Sequence, residues 1–240
     1  MYSVYFVVTF IDMNFEFKPI GMIRSCYTDK FGIPRQPGLI KSAMATLELL
    51  PPYNQPEAFR GLEDFSHLWI TFVFHQSVSK DWKATVRPPR LGGNERIGVF
   101  ASRSNFRPNP IGLSVVELKS VNGTSIELGG GDFLDETPVL DIKPYIPYSD
   151  SIPDAEGAFA SNSPIPVNSV AFIPEVEQRF QSLETRKRPN LRQLISDMLS
   201  YNPQPAYQKK NPDRIFGTTV FDLEVKWQQV DHEVTMISIS

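Results

Sequence analysis

Prolines and glycines, 21 and 14 of them, fall mostly in the first two thirds of the chain and cut it into short apolar runs. Proline ends a helix because it lacks an amide donor and crowds the preceding turn, and glycine weakens one through its backbone entropy. Runs this short between breakers suit strands. They predict strands at Phe17–Arg24, Ala45–Leu50, His67–Phe74, Ile97–Phe100, Leu113–Val121 and Ser125–Leu128, with Asn122-Gly123 marking a hairpin between the last two. Leu68, Ile70 and Phe72 alternate with residues of mixed polarity, as half-buried strands do.

The pattern then changes. Ser149 to Asn168 is rich in Ser, Pro, Ala and Asn without periodicity and reads as a linker or long surface loop. Val176, Phe180 and Leu183 recur at helical spacing within Glu175–Glu184, and Leu191, Leu194, Ile195, Met198 and Leu199 define a second amphipathic helix that Pro203 and Pro205 stop. Phe221, Leu223, Val225 and Trp227 alternate with Asp222, Glu224 and Lys226, then a turn near Asp231-His232 leads to a return strand through Ile239. The predicted fold class is mainly β: a β-barrel-like N-terminal domain over residues 15–154 and a small C-terminal α+β domain over 169–240, with residues 1–14 as an extension. Tyr2–Ile11 is apolar but lacks a basic leader and a small-residue cleavage site, and it is too short to cross a bilayer. An edge strand, a dimer contact or an upstream start before Met13 all remain open for it.

One cysteine, Cys26, excludes an intrachain disulfide and fits a reducing, cytoplasmic setting; with no His or Lys beside it in sequence, it reads as a structural thiol. A net charge of -3 excludes nucleic-acid binding by bulk electrostatics, so any RNA contact has to be local. Such a block exists: Lys83, Arg87, Arg90, Arg96, Arg103 and Arg107 face only Glu95 within it and Asp81 just outside. A solvated basic loop has the same composition.

Several common sites find no support in the sequence. Gly129-Gly130-Gly131 lacks the spacing of a dinucleotide-binding turn and reads as a tight turn or bulge, and no Walker loop is present. His67, His75 and His232 are not clustered as metal ligands, and Gly112-Leu113-Ser114 lacks the second glycine of a nucleophile elbow. No metal is therefore expected.

Four polar, proline-rich clusters stand between the apolar runs: Pro34-Arg35-Gln36-Pro37-Gly38, His75-Gln76, Arg103 through Gly112, and Asp141-Ile142-Lys143-Pro144-Tyr145. Proline-stiffened loops present donors and acceptors at low entropic cost, although tight turns capping a barrel look alike. Arg35, Arg103 and Arg107 suit a carboxylate or phosphate, Gln36 and Asn109 an amide or purine edge, and Asp141 beside Lys143 offers both charges. This inventory fits a zwitterionic nucleoside.

The runs Pro34–Gly38, Arg87–Asn94 (RPPRLGGN), Phe100–Gly112 (FASRSNFRPNPIG) and Thr137–Tyr145 (TPVLDIKPY), with Pro205-Ala206-Tyr207 near the end, resemble the motifs of the TrmO (TsaA-like) family from about Phe15 onward. The resemblance implies a barrel-type methyltransferase rather than a Rossmann one, a homodimer that binds S-adenosylmethionine. The implied reaction is methylation of N6-threonylcarbamoyladenosine just 3′ of the anticodon in threonine-type tRNA. By the same resemblance, cofactor contacts fall on Pro34, Arg35, Gln36, His75, Gln76, Arg103, Leu113, Leu140, Asp141, Ile142 and Lys143. Glu136 departs from the glycine that many members carry before Thr-Pro.

Methyl transfer to nitrogen needs alignment more than acid–base chemistry, and a hydrogen-bond acceptor for the departing proton helps. Asp141 is the first candidate, a backbone carbonyl in a Pro-rich loop the second; pairing with Lys143 is the competing role for Asp141. Tyr53 and Asn54 suit stacking on and hydrogen bonding to an unstacked base, or filling a barrel rim. Arg87, Arg90 and Arg107 are assigned to the tRNA backbone, with Arg186, Lys187, Arg188, Lys209 and Lys210 as further cations. Two other classes stay open: a nucleoside- or S-adenosylmethionine-binding regulatory barrel without catalysis, and an RNA-binding module without a cofactor.

Overall fold

In the computed structural model the described residues are 15–30, 32–79, 81–201 and 213–240. The extension 1–14, Pro203, the Pro205-Ala206-Tyr207 run, Lys209 and Lys210 lie outside them.

The first strands are β1 (Gly21–Ser25), β2 (Met44–Leu49) and β3 (His67–Val73). A two-residue ribbon of β4 (Thr85–Val86) and β5 (Ile97–Gly98) follows, then β6 (Ile111–Asn122), β7 (Ser125–Gly129) and β8 (Pro138–Pro144). Six of them close an antiparallel barrel in the order β1-β2-β7-β6-β3-β8, with β8 returning to β1. Alternation decides what fills it: Leu68, Ile70 and Phe72 of β3 meet Ile23, Leu47, Val116, Ile126, Leu128 and Val139 from the other strands. Burying each such side chain contributes about 1.5–3 kcal/mol, and a barrel this narrow leaves no interior space for a ligand. Ligand groups must therefore sit on a mouth or on the outer face.

Two predicted strands and one predicted loop differ in the structure. Pro19 has no amide for the ladder, so β1 starts at Gly21 rather than Phe17. The Ile97–Phe100 run keeps two strand residues because Val99–Ala101 tightens into a single 3-10 turn. The Asp141–Tyr145 cluster is not an inter-strand loop: Pro138–Pro144 forms the closing strand, its prolines at the ends where missing donors cost little.

The C-terminal part comprises a one-turn helix α1 (Pro147–Asp150), β9 (Ser169–Phe172), α2 (Pro174–Leu183), α3 (Leu191–Ser200), β10 (Ile215–Val220), β11 (Leu223–Val230) and β12 (Glu233–Ile239). Its sheet runs β10-β11-β12-β9, with β9 parallel to β12. Neither β9 nor β10 was expected; four and six residues with mixed polarity carry too little periodicity. The stripe Leu191, Leu194, Ile195, Met198 and Leu199 of α3 is buried against this sheet.

The same core takes in Cys26, Tyr27, Ile40 and Ala43 from the β1–β2 connection. Phe221 N donates to the Cys26 carbonyl (2.8 Å), Thr28 Oγ1 to the Phe221 carbonyl (3.0 Å), and Ser42 Oγ to Asp197 Oδ2 (2.5 Å). The C-terminal module therefore grips both ends of the loop that carries Pro34–Gly38. Buried Cys26 has its thiol pushed up to about 12 by desolvation, which makes it an inert core residue at neutral pH.

Candidate functional site

Antiparallel register sorts the connections. Ser25 of β1 pairs with Ala45 near the start of β2, Met44 pairs with Gly129 at the end of β7, and Val73 at the end of β3 pairs with Ile111 at the start of β6. Pro138, the start of β8, pairs with Met22 of β1. The connections 26–43, 74–110 and 130–137 thus leave from one mouth of the barrel. Every segment with a predicted ligand residue from Pro34 to Gln36, His75, Gln76 and Arg103 lies there.

These loops touch. Arg103 Nη1 donates to Gln36 Oε1 (2.8 Å), Lys30 Nζ to the Gln76 carbonyl (2.8 Å), and Asn105 Nδ2 to Ser77 Oγ (2.7 Å). Gly38 N donates to the Gly130 carbonyl (2.7 Å); Gly130 has φ +69, and a Cβ there would lie 3.4 Å from Gly38 Cα. The glycine run is thus a turn that lets two loops pass closely, as its sequence suggested. Arg35 remains exposed and makes no hydrogen bond among the described residues, yet crowding by protein atoms first and the positive Arg90 second lower its pKa. Two guanidinium groups near each other without a carboxylate favour an anion. Burial also lowers the pKa of His75, against the opposing pull of Glu136.

Leu113, Thr71 and Asp141 form one row across β6, β3 and β8, and Val115, Trp69 and Lys143 form the next. Their neighbours in sequence point inward, so these rows belong to the outer face, where Leu113 is 55% exposed. Between Thr71 and Phe72 the register slips, because Thr71 pairs with Asp141 but Phe72 with Val139. Leu140 is the extra residue of this β-bulge, a device that re-aims side chains beside ligand sites. Asp141 is paired with Lys143, and both are largely exposed. Such a pair is weak enough to exchange with a ligand.

Other predicted residues part company. Tyr53 and Asn54 lie in the β2–β3 connection, at the other mouth, where Leu50 N bonds the Ile20 carbonyl and Tyr53 N the Leu50 carbonyl. A seven-residue strand separates the two mouths by about 20 Å. Within one chain, Tyr53 and Asn54 therefore do not join Arg103. Of the three arginines assigned to RNA, Arg90 donates to the carbonyls of Ala160 and Asn162, and Arg107 to those of Ser102 (2.8 Å) and Val99 (3.4 Å). Arg87 keeps its guanidinium unengaged among the described residues. Arg188 pairs with Asp222 (2.6 Å), which ties it to the β10–β11 turn.

Sequence reasoning missed Asp132. Its carboxylate accepts from Ser114 Oγ (2.7 Å), an inward-facing hydroxyl only 3% exposed, at the mouth spanned by Arg103. Desolvation raises its pKa to about 6 although Ser114 and the charge of Arg103 oppose the shift. The only signal in the sequence was a carboxylate directly after three glycines. Among the described residues no group of three or more His, Cys, Asp or Glu is arranged to hold a metal, and no helix is long and apolar enough to cross a membrane.

Fold and site define the class: a filled six-stranded barrel that gathers cationic, carboxylate and apolar side chains on one mouth and the adjoining outer strands, unlike a doubly wound nucleotide-binding sheet. Residues 22–151 match the tRNA-methyltransferase O N-terminal domain and residues 166–240 the TrmO C-terminal domain. The tRNA (adenine(37)-N6)-methyltransferase of Escherichia coli K12 is 50% identical over 223 residues, 91% of this chain and 94% of that protein. RcsF of Pseudomonas aeruginosa, whose name assigns it S-adenosylmethionine-dependent methyl transfer, is 47% identical over 215 residues, 90% of this chain and 93% of its own length. A crystal structure of TrmO from Pseudomonas aeruginosa superposes with a TM-score of 0.82 at 39% identity, covering 96% of this chain and all (100%) of that one. The chain belongs to the tRNA-methyltransferase O family, enzymes outside the doubly wound methyltransferase class.

Proposed function

We propose that this enzyme methylates N6 of N6-threonylcarbamoyladenosine immediately 3′ of the anticodon in threonine-type tRNA, with S-adenosylmethionine as donor, as a cytoplasmic homodimer. The observation that carries the reading is the convergence of Gln36, His75 and Arg103 at one mouth. The names of the E. coli and P. aeruginosa relatives support the base position and the donor.

The residues at this mouth and on the outer strands fit the donor's chemistry. Arg103 and Arg35 suit its carboxylate, Leu113 and Leu140 an apolar surface for its adenine, and Gln36 and His75 its polar edges. When bound, the donor supplies an electrophilic methyl carbon. The protein's share is alignment, water exclusion and an acceptor for the N6 proton, the role assigned to Asp141. In the free protein Asp141 makes the competing pair with Lys143, an exposed contact weak enough to open so that Lys143 takes a threonyl carboxylate and Asp141 turns to the base.

The separation of the mouths supports the homodimer, because within one chain Tyr53 and Asn54 lie too far from Arg103 to act with it. A second copy on the outer face, where Ile111 and Leu113 are 41% and 55% exposed, would bring Tyr53 and Asn54 of one protomer toward Arg103 of its partner. The test combines purified protein, labelled S-adenosylmethionine and tRNA with or without the threonylcarbamoyl group, followed by digestion and mass spectrometry. Methylated N6-threonylcarbamoyladenosine from the modified tRNA alone is expected. Binding of the donor without transfer to either tRNA would instead identify a non-catalytic barrel.

A further inference from the structure

We propose that Trp82 and Phe100 form a stacking platform for an unpaired nucleotide of the RNA loop, an inference that rests on the tRNA reading above. The two rings lie 6.3 Å apart with planes inclined by 34°, and they are 51% and 73% exposed. Large aromatic side chains are normally among the most buried, and a neighbouring pair held open to water marks a contact surface.

The ribbon explains why these rings point outward. Thr85 pairs with Gly98 and Val86 with Ile97, and Val99 N donates to the Ala84 carbonyl (2.9 Å). Val99, at the start of the 3-10 turn, is the apolar anchor, 1% exposed, and Phe100, about a third of a turn further round, faces solvent. Arg107 braces Phe100. Its guanidinium carbon is 6.0 Å from the Phe100 ring centre, while Nη1 donates to the Ser102 and Val99 carbonyls that fix the turn. The aromatic step is thus presented by a braced turn.

Charge selects the occupant. Lys83, Arg87, Arg96 and Arg103 are exposed in this same connection against Asp81 and Glu95, although the whole chain carries -3. Exposed aromatic faces interleaved with cations suit an unstacked base and its phosphates. A second protein copy would bring its own excess of negative charge only diffusely, and it would gain little from the basic rim.

Comparison with Trp82→Phe isolates the signal of Trp82 from that of Trp227, which is buried, and of Trp69, which lies on the outer strands beside Lys143. A synthetic anticodon stem–loop RNA should quench the fluorescence of the full-length protein, and Trp82→Phe should lose most of that quench. Trp82→Ala and Phe100→Ala should each weaken RNA affinity by about tenfold while leaving S-adenosylhomocysteine affinity, sedimentation and circular dichroism unchanged. Full RNA affinity in both alanine variants overturns the platform, and a changed oligomeric state assigns the patch to a second copy instead. If the wild-type protein methylates tRNA and yet the variants bind RNA normally, this inference alone fails; if the wild-type protein binds no RNA, the functional reading fails with it.

Discussion

The two mouths of the barrel differ in what their connections are made of. One mouth carries the Gly123-Thr124 hairpin turn and the β2–β3 connection, residues 50–66, whose two 3-10 turns pack beside the strands and which holds Tyr53 and Asn54. The other sends out two long connections, 26–43 and 74–110, and the short 130–137 turn; together they carry Arg35, Gln36, His75, Arg103 and Asp132, and the C-terminal module clamps the first of them. The same strands support both ends, so the difference teaches that function here depends on loop chemistry more than on barrel packing. A filled barrel gives each loop a rigid base; the C-terminal core then fixes a connection that would otherwise be too long to hold its shape.

The sharpest way to break this comparison is Arg103→Ala. Arg103 is exposed and bonded to Gln36, so its loss should leave the melting temperature almost unchanged. Methyl transfer should fall by about a hundredfold or more, read by single-turnover labelling, since a positioning contact and a charge are lost together. Unaltered transfer would mean that the long-loop mouth is not the site.

Asp132→Asn sharpens the account through stability. The folded carboxyl titrates near 6, above the usual carboxylate value, so the native state holds this proton longer than the unfolded chain. Its stabilising contribution is complete below about pH 4 and is lost as pH rises through about 6. The asparagine variant, which can still accept from Ser114, should be more stable at pH 7.5 by on the order of 2 kcal/mol. Denaturant titrations at pH 4 and 7.5 should show that advantage shrinking at the lower pH; a constant difference would contradict the assignment.

Glu136→Gly is the smallest of the three. Glu136 has φ +60, a left-handed conformation that costs a side-chain-bearing residue about 1 kcal/mol. Its exposed pair with Arg24 (3.3 Å) offsets only a fraction of that. A gain of about 1 kcal/mol in unfolding free energy is expected, and a loss would show that the pair matters more than the backbone.

Much of this architecture was legible beforehand, and particular residues show why the rest was not. The interior alternation of Leu68, Ile70 and Phe72 and the stripe of α3 were readable because a single buried face imposes a period. The closing strand β8 was read as a loop because Asp141 and Lys143 point outward and prolines stand at both ends. Asp132 was invisible because its chemistry arises from Ser114 and Arg103, 18 residues away and in a different loop respectively. The grouping of the mouth loops is likewise a property of strand order, which spacing along the chain does not encode. At Glu136 the sequence showed only a departure from the family's glycine, and the left-handed backbone there became visible with the structure.

Hydrogen exchange on the wild-type protein with and without S-adenosylhomocysteine examines the central assignment most directly. Protection should concentrate in segments 34–38, 75–77, 102–107 and 140–143, the loops and outer strand that converge at one mouth. Protection confined to residues 166–240, or no protection at saturating ligand, would contradict it.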